Sequence, residues 1–239
     1  MKRSLRAALA AAVALASLAA GAEEAADEIL RRMDAAMTFD ECEMRVSFED
    51  VKASGQARSL GAEVLYAKSA GTMIAFVSPA REKGKRVLMI GDSMWMAVPG
   101  VSKPVRLSGK DAFMGTSFTN DDVMNFDKAD DYEATILESG PGGWTLDLVA
   151  LKRSLPYQRC TVSLGKDYLP LCQSLYLLSG ELAKTIEFSE PRSYGTKRRP
   201  STMRVVDAMT RGASTTVRFD AIAEKKIDRS RLSPSGFMK

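Results

Sequence analysis

The chain has 239 residues, which is enough for one large domain or two small ones. It contains no histidine and three cysteines, which excludes Ser-His-Asp and Cys-His catalysis and the usual zinc-ligand sets. Its formal net charge is +4; Lys2, Arg3 and Arg6 supply three of the basic residues, and the remainder, near neutral, does not predict nucleic-acid binding.

The first 22 residues have the pattern of a secretory signal peptide. Three basic residues precede an uncharged run at 7–20 that is mostly Ala, Leu and Val. The small residues Ala20-Gly21-Ala22 predict cleavage after Ala22 and export to the periplasm. The alternative is an uncleaved membrane anchor, although a span needs ~20 strongly apolar residues.

Residues 24–37 predict an amphipathic helix. Its apolar side chains recur at helical spacing on one side, opposite a charged side, at Ala26, Ile29, Leu30, Met33 and Met37. The period then changes to two over residues 42–50, where apolar residues at even positions alternate with polar ones. This segment is therefore predicted to be a half-buried strand.

Strand patterns separated by turn residues continue to the end of the chain. A short helical piece at 121–126 interrupts them. The further strands are predicted at 57–67, 71–78, 87–90, 94–98, 103–108, 131–138, 143–151, 157–164, 168–178, 181–189, 202–210 and 213–223. No repeat or composition break divides the chain, so residues 23–239 are predicted to form a single domain. So many antiparallel strands must curl, which favours a strongly curved sheet with a helix and an irregular segment over its concave face.

Two of the cysteines fall in a predicted hairpin. If the hairpin is centred on Lys166, Cys160 lies directly opposite Cys172, and an oxidising compartment would allow a cross-strand disulfide. The alternative is two reduced, packed cysteines. Cys42 is on the apolar side of its strand and is expected to be a buried, inert thiol.

The central part of the chain carries a family pattern. It comprises residues 83–100 with a glycine turn and a Trp-containing strand, the basic-apolar strand 103–109, the loop Phe113-Met-Gly-Thr-Ser-Phe118, and Asp121-Asp122. This block resembles the periplasmic proteins called outer-membrane lipoprotein-sorting proteins, a group similar to the LolA and LolB lipoprotein carriers. The resemblance implies an α+β, mainly antiparallel β fold: an incomplete, half-open β-barrel with an N-terminal helix and a short helical lid over a hydrophobic cavity.

The resemblance also implies a role, which is to hold the acyl chains of a lipoprotein or lipid and pass them towards the outer membrane. A half-closed barrel offers a concave apolar face, and the 13 methionines of the chain suit an adaptable apolar site. The alternative is that these methionines are ordinary core residues. Strand alternation and the block give these candidate cargo-binding residues: Phe48, Val64, Tyr66, Ile74, Phe76 and Trp95. The candidate lid or mouth residues are Phe113, Met114 and Phe118, which could equally be a capping loop.

We expect no catalytic residue, cofactor or metal site, and hence no enzyme activity. The expected partners are lipoprotein or lipid acyl chains and an inner-membrane transporter, with no nucleic acid, and the protein is expected to be a monomer. The second hypothesis is a non-transporting periplasmic accessory or sensor domain that engages a transporter or signalling protein. The basic stretch 197–199 and the basic tail 225–231 are expected to be a solvated loop and tail, with docking on anionic lipid or an acidic partner as the alternative.

Overall fold

The computed structural model describes residues 24–124 and 127–238, so the predicted signal peptide lies outside the described residues. Helix α1 spans Ala26–Met37. Its buried side is the predicted apolar one, with Ile29, Leu30, Met33 and Met37 inside. None of the helices in the described part of the chain has the length and hydropathy of a transmembrane span.

Thirteen strands follow α1 in the described part of the chain. They are β1 (Glu41–Val51), β2 (Ala57–Ala67), β3 (Gly71–Ser78), β4 (Arg86–Ile90), β5 (Ser93–Ala97), β6 (Val105–Leu107), β7 (Tyr132–Gly140), β8 (Gly143–Ala150), β9 (Arg159–Leu164), β10 (Pro170–Tyr176), β11 (Leu182–Tyr194), β12 (Lys197–Asp207) and β13 (Ser214–Glu224). Helix α2 (Asn120–Met124) lies between β6 and β7, and single 3-10 turns occur at Phe113–Gly115 and Arg229–Leu232.

All thirteen strands form one antiparallel sheet in the order β6-β5-β4-β3-β2-β1-β13-β12-β11-β10-β9-β8-β7. The first six strands run outward from the middle to one edge, and the last seven return from the other edge. The two halves meet where β1 pairs with β13, from Cys42 opposite Glu224 to Val51 opposite Ser214. In the described residues the edge strands β6 and β7 each pair with one neighbour, so the barrel is open, and the predicted fold class is confirmed.

The inner face of the sheet is the face that α1 and the segment before β7 cover. On the C-terminal half, Ile29, Leu30 and Met33 of α1 pack against Leu146 and Val162. On the N-terminal half, a second inner cluster includes Val46, Phe48, Val64, Ile74 and Phe76. Ile186 contacts both clusters and joins them.

The outer face of the N-terminal half is also covered. The end of the chain crosses it and buries three apolar side chains, Ile227, Leu232 and Phe237, against Leu65 and Leu88. We call this group the outer cluster. The tail was expected to be solvated because of its basic residues, and the residue within 225–231 that is buried, Ile227, is apolar. Its basic side chains do remain exposed: Arg229 pairs with Glu41 at 3.0 Å, and Lys225 pairs with Glu43.

The predicted disulfide is wrong. Cys160 lies opposite Leu175, and Cys172 lies opposite Ser163. Leu164 lies opposite Pro170, two residues later than the predicted Tyr168, which is in a left-handed conformation (φ 59°), and the register shifts by one more residue between Pro170 and Cys172. Because a one-residue shift turns a side chain to the other face of the sheet, Cys160 is buried inside while Cys172 is directed away from it, and both are free.

The basic stretch 197–199 is not a loop. It forms the beginning of β12, where it pairs with the end of β11 through Lys197 opposite Tyr194 and Arg199 opposite Arg192. Lys197 Nζ donates to the carbonyl of Ala35 at 2.9 Å, which ties the strand to α1. The strand thus extends five residues before the predicted start at 202, and its alternation turns Arg199 inward.

Candidate ligand-binding cavity

A cavity of about 550 Å³ lies against the inner face of the sheet, where β1–β4 of the N-terminal half adjoin β12 and β13. This size falls within the ~300–1,000 Å³ usual for small-molecule sites. Aliphatic and aromatic side chains form most of its wall, among them Val46, Phe48, Val64, Ile74, Val217 and Phe219. Five methionines add flexible surface to it: Met37, Met44, Met89, Met124 and Met203.

The register of the sheet explains why these residues share one wall. Met44 lies opposite Ile222 on β13 and Val64 on β2, and Val64 lies opposite Ile74 on β3. Directly opposed residues of an antiparallel sheet point to the same face. A transverse row of apolar side chains therefore crosses four strands, and the two-residue period of each strand repeats it along the cavity.

Four of the six predicted cargo-binding residues line this cavity: Phe48, Val64, Tyr66 and Ile74. Phe76 is on the same face but is buried behind the wall, with its ring centroid 6.2 Å from that of Phe113.

Trp95 is on the wrong face. It packs against the outer cluster, while its neighbours Met94 and Met96 contact the inner one. Both faces of β5 are apolar, so alternation alone could not assign its direction.

Residues 109–124, which we call the covering segment, close one end of the cavity. Phe113 is buried between Phe48 and Phe76, with ring centroids 6.3 and 6.2 Å away. Met114 (φ 50°) turns the chain in a left-handed conformation and packs against the inner cluster, and Phe118 lines the cavity. The three predicted lid or mouth residues thus lie together at this end.

A buried carboxylate holds the covering segment to the sheet. Asp50, which is 1% exposed, accepts hydrogen bonds from Arg58 Nε at 3.0 Å and Thr215 Oγ1 at 2.8 Å, and pairs with Lys52 at 2.9 Å. Burial alone would raise the pKa of Asp50, but the bonds from Lys52, Thr215 and Arg58 outweigh it and hold that pKa below its usual value. Arg58 also donates to the carbonyl of Met114.

A second buried carboxylate ties α2 to the C-terminal half. Asp122 forms an ion pair with Lys184, and the two side chains are only 5% and 9% exposed. Tyr157 donates its hydroxyl to the same carboxylate at 2.7 Å. The Asp122 carboxylate also accepts a hydrogen bond from the backbone N–H of Thr119 at 2.6 Å, and the backbone N–H of Asp122 donates to the Thr119 hydroxyl. These two reciprocal bonds cap the N-terminus of α2.

Charged residues surround the solvent side of the cavity. Lys68 and Asp130 are exposed there, together with the partly exposed Asp127 and Asp131. Asp127 lies 3.9 Å from Lys68, and Asp131 lies 2.8 Å from Lys152. Partial burial raises the pKa of Asp127, with Lys68 acting in the opposite direction. We call these four residues, Lys68, Asp127, Asp130 and Asp131, the rim.

Arg199 lines the cavity and was missed by the sequence analysis. It is 4% exposed; its Nη1 donates to the carbonyl of Met37, and its guanidinium lies 4.4 Å from the ring centroid of Phe219. Burial lowers its pKa to about 10, so it stays positive at neutral pH. Residues 201, 203 and 205 are buried on the same side, and extending that alternation back two residues would have indicated an inward Arg199.

The remaining ionisable groups of the wall are kept neutral. Burial raises the pKa of the Cys42 thiol to about 11 and that of Tyr66 to about 12. Neither is therefore an activated nucleophile at neutral pH. Within the described ranges, no group of histidine, cysteine and acidic residues could hold a metal ion. The arrangement is suited to enclosing an apolar ligand.

Comparison with known proteins gives a family and a fold. A family model described as "Uncharacterized protein" matches residues 68–237, and no curated protein matches the chain. A LolA superfamily protein from Nitrosomonas europaea superposes with a TM-score of 0.77 at 22% identity, over 88% of this chain and 98% of the other.

Two further solved structures have the same fold. A domain classed as outer membrane lipoprotein-sorting protein from Vibrio parahaemolyticus gives a TM-score of 0.77 at 20% identity, over 90% and 98% of the chains. A DUF1329 family protein from Desulfovibrio piger gives 0.78 at 20% identity, over 87% and 96%. At these identities the likeness shows the LolA-like fold.

Proposed function

We propose that this chain, which belongs to the protein family matched over residues 68–237 and has the LolA-superfamily fold, is a periplasmic carrier of acyl chains. It binds the acyl chains of a lipoprotein or lipid in its cavity and passes them towards the outer membrane. The observation that carries the proposal is the apolar cavity of about 550 Å³, which the protein's own side chains leave unfilled.

The energetics favour a hydrocarbon ligand. Each methylene moved from water into an apolar site contributes about 0.8 kcal/mol, so a long acyl chain gains several kcal/mol in such a cavity. Methionine side chains adapt to ligands of different shape because they are unbranched and polarizable. Five of them line the cavity, which suits a carrier that must accept and release chains of varied length.

The covering segment serves as the lid in this proposal. Phe113, Met114 and Phe118 move with it, and Asp50 and Asp122 hold it closed through the bonds described above. A ligand enters or leaves when these contacts break. The charged rim, which includes the pair Lys68 and Asp127, stays in water.

Two measurements test the proposal. Delipidated mature protein should take up a fluorescent fatty-acid probe at one site, and palmitic acid should displace it. Native mass spectrometry of protein isolated from the periplasm should show a bound acyl species and a mature chain beginning at Glu23. No probe uptake, with no acyl species on the isolated protein, would reject the carrier in favour of an accessory domain with a permanently closed cavity.

A further inference from the structure

Arg199 is a buried cation without an anionic partner. Its Nε is buried and has no hydrogen-bond partner, and among the described residues no carboxylate forms an ion pair with it. Its guanidinium contacts the Met37 carbonyl and the face of Phe219, and the Tyr194 and Cys42 side chains, both neutral at pH 7, are close enough to act on its charge. Removing a charge from water without a counter-charge is energetically costly, so a position of this kind is unfavourable unless something else pairs with it.

The acidic side chains of the cavity do not meet this need. Asp122, Asp127 and Asp131 each have a lysine partner, namely Lys184, Lys68 and Lys152. Asp130 is exposed at the rim. Three of the four cavity carboxylates thus have a lysine counter-charge and the fourth is in water, whereas the guanidinium on the wall has no counter-charge among the described residues.

The position of Arg199 suits the head of an amphiphile. It donates to the carbonyl of Met37, and its charge acts on the nearby Cys42 thiol against the rise in pKa that burial causes, which places it at the end of the cavity where β1 begins. From Cys42 to Phe48 the strand advances six residues, about 20 Å at ~3.3 Å per residue. The wall along this length is apolar and ends at Phe118 of the covering segment.

We propose that the ligand of this cavity is a fatty-acid-like amphiphile whose anionic head group, a carboxylate or a phosphate, is bound by Arg199 while its tail extends towards Phe48 and Phe118. This rests on the proposed function and narrows its ligand from a lipoprotein or lipid to a lipid with an anionic head group. The planar guanidinium can donate two parallel hydrogen bonds to either head group. A fully esterified acyl chain has no such group and would leave Arg199 unpaired.

The test compares three ligands with the same tail: dodecanoic acid, dodecyl phosphate and dodecanol. Each displaces a neutral fluorescent probe from delipidated protein at pH 8, where the acid and phosphate are anionic. The proteins are the wild type, Arg199→Gln, and the matched control Arg198→Gln, which changes an exposed arginine one residue away on β12. Circular dichroism checks that each variant is folded.

We expect wild-type protein and Arg198→Gln to bind at least one anionic ligand about tenfold or more tightly than dodecanol, because hydrogen bonds to charged groups give gains of this order. Arg199→Gln should lose that preference and keep its affinity for dodecanol. The tighter of the two anions identifies the head group as carboxylate or phosphate.

Equal affinity of wild-type protein for dodecanol and both anions would overturn this inference and leave the acyl-chain carrier standing. So would a preference that survives in Arg199→Gln. If Arg199→Gln does not fold, the wild-type comparison of acid, phosphate and alcohol decides alone. Binding of none of the three ligands to wild-type protein would overturn the proposed function itself.

Discussion

Filling the cavity should abolish binding without unfolding the protein. Val217 lines the cavity, whereas Val205 is fully buried in the same inner cluster away from the cavity wall. In Val217→Trp the indole can occupy the open space. In Val205→Trp it has none, and overpacking of a filled core costs about 1–3 kcal/mol. For a chain of this size each kcal/mol lowers the melting temperature by about 2–4 °C, so Val205→Trp should melt about 2–12 °C below wild type.

The binding effect should be the reverse. If the indole displaces about four methylenes of ligand at ~0.8 kcal/mol each, Val217→Trp loses about 3 kcal/mol, or more than a hundredfold in affinity. Val205→Trp should keep near-normal affinity at temperatures where it is folded. Titration with a fluorescent fatty-acid probe and thermal denaturation measure both quantities. Val217→Trp binding as wild type does, or melting as low as Val205→Trp, would refute an unfilled, ligand-binding cavity.

Three further predictions concern the covering segment, pH and the thiols. Lys184→Met leaves the Asp122 carboxylate buried without its cation, which costs about 3–5 kcal/mol unless α2 detaches from the sheet and exposes the carboxylate to water. Hydrogen exchange in the covering segment should therefore accelerate, and adding Asp122→Asn should partly reverse this. The control Lys152→Met removes the cation of the more exposed pair with Asp131 and should leave that exchange unchanged. Equal acceleration in both variants would contradict the role of the Asp122–Lys184 pair in holding the covering segment closed. Burial raises the pKa of Asp34 to about 6, above its usual 3.8, so the folded protein binds this proton more tightly than the unfolded chain, and the contribution to stability is present at low pH and lost as pH rises through about 6. The free energy of unfolding of wild type minus that of Asp34→Asn should therefore fall by up to ~3 kcal/mol between pH 4 and pH 8, whereas a constant difference would contradict the assignment. Finally, denatured protein without reductant should show three free thiols, and a single one would restore the disulfide.

Alternation and helical periodicity predicted the elements because most strands here have one apolar and one polar face. The predicted bounds of the helix at 24–37 and of the strands at 57–67 and 71–78 agree with the structure within two residues. The apolar spacing that buries one face of each element stops where the element ends, so it also indicates the bounds. The open antiparallel sheet follows from the number of strands and the small number of helices. The order in which the two halves join at β1 and β13 depends on long-range pairing that local patterns do not contain.

The site was only partly predictable, and each failure has a physical cause. Trp95 is on a strand with two apolar faces, so either direction satisfied the pattern, and the chain terminus that covers its outer face could not be foreseen. The Cys160–Cys172 pairing depended on the register of the hairpin, which the longer turn shifts by two residues and a bulge by one more, so that Cys160 lies opposite Leu175. Arg199 was assigned to a loop because three consecutive basic residues usually face water, although β12 turns one of them inward.

The central claim is tested most directly by a crystal structure of the delipidated protein soaked with tetradecanoic acid. The account predicts continuous density for one extended chain inside the cavity, in contact with Val64, Ile74 and Val217. An interior that remains empty or collapsed at saturating ligand, with the acid bound on the outer face beside Trp95, would contradict it.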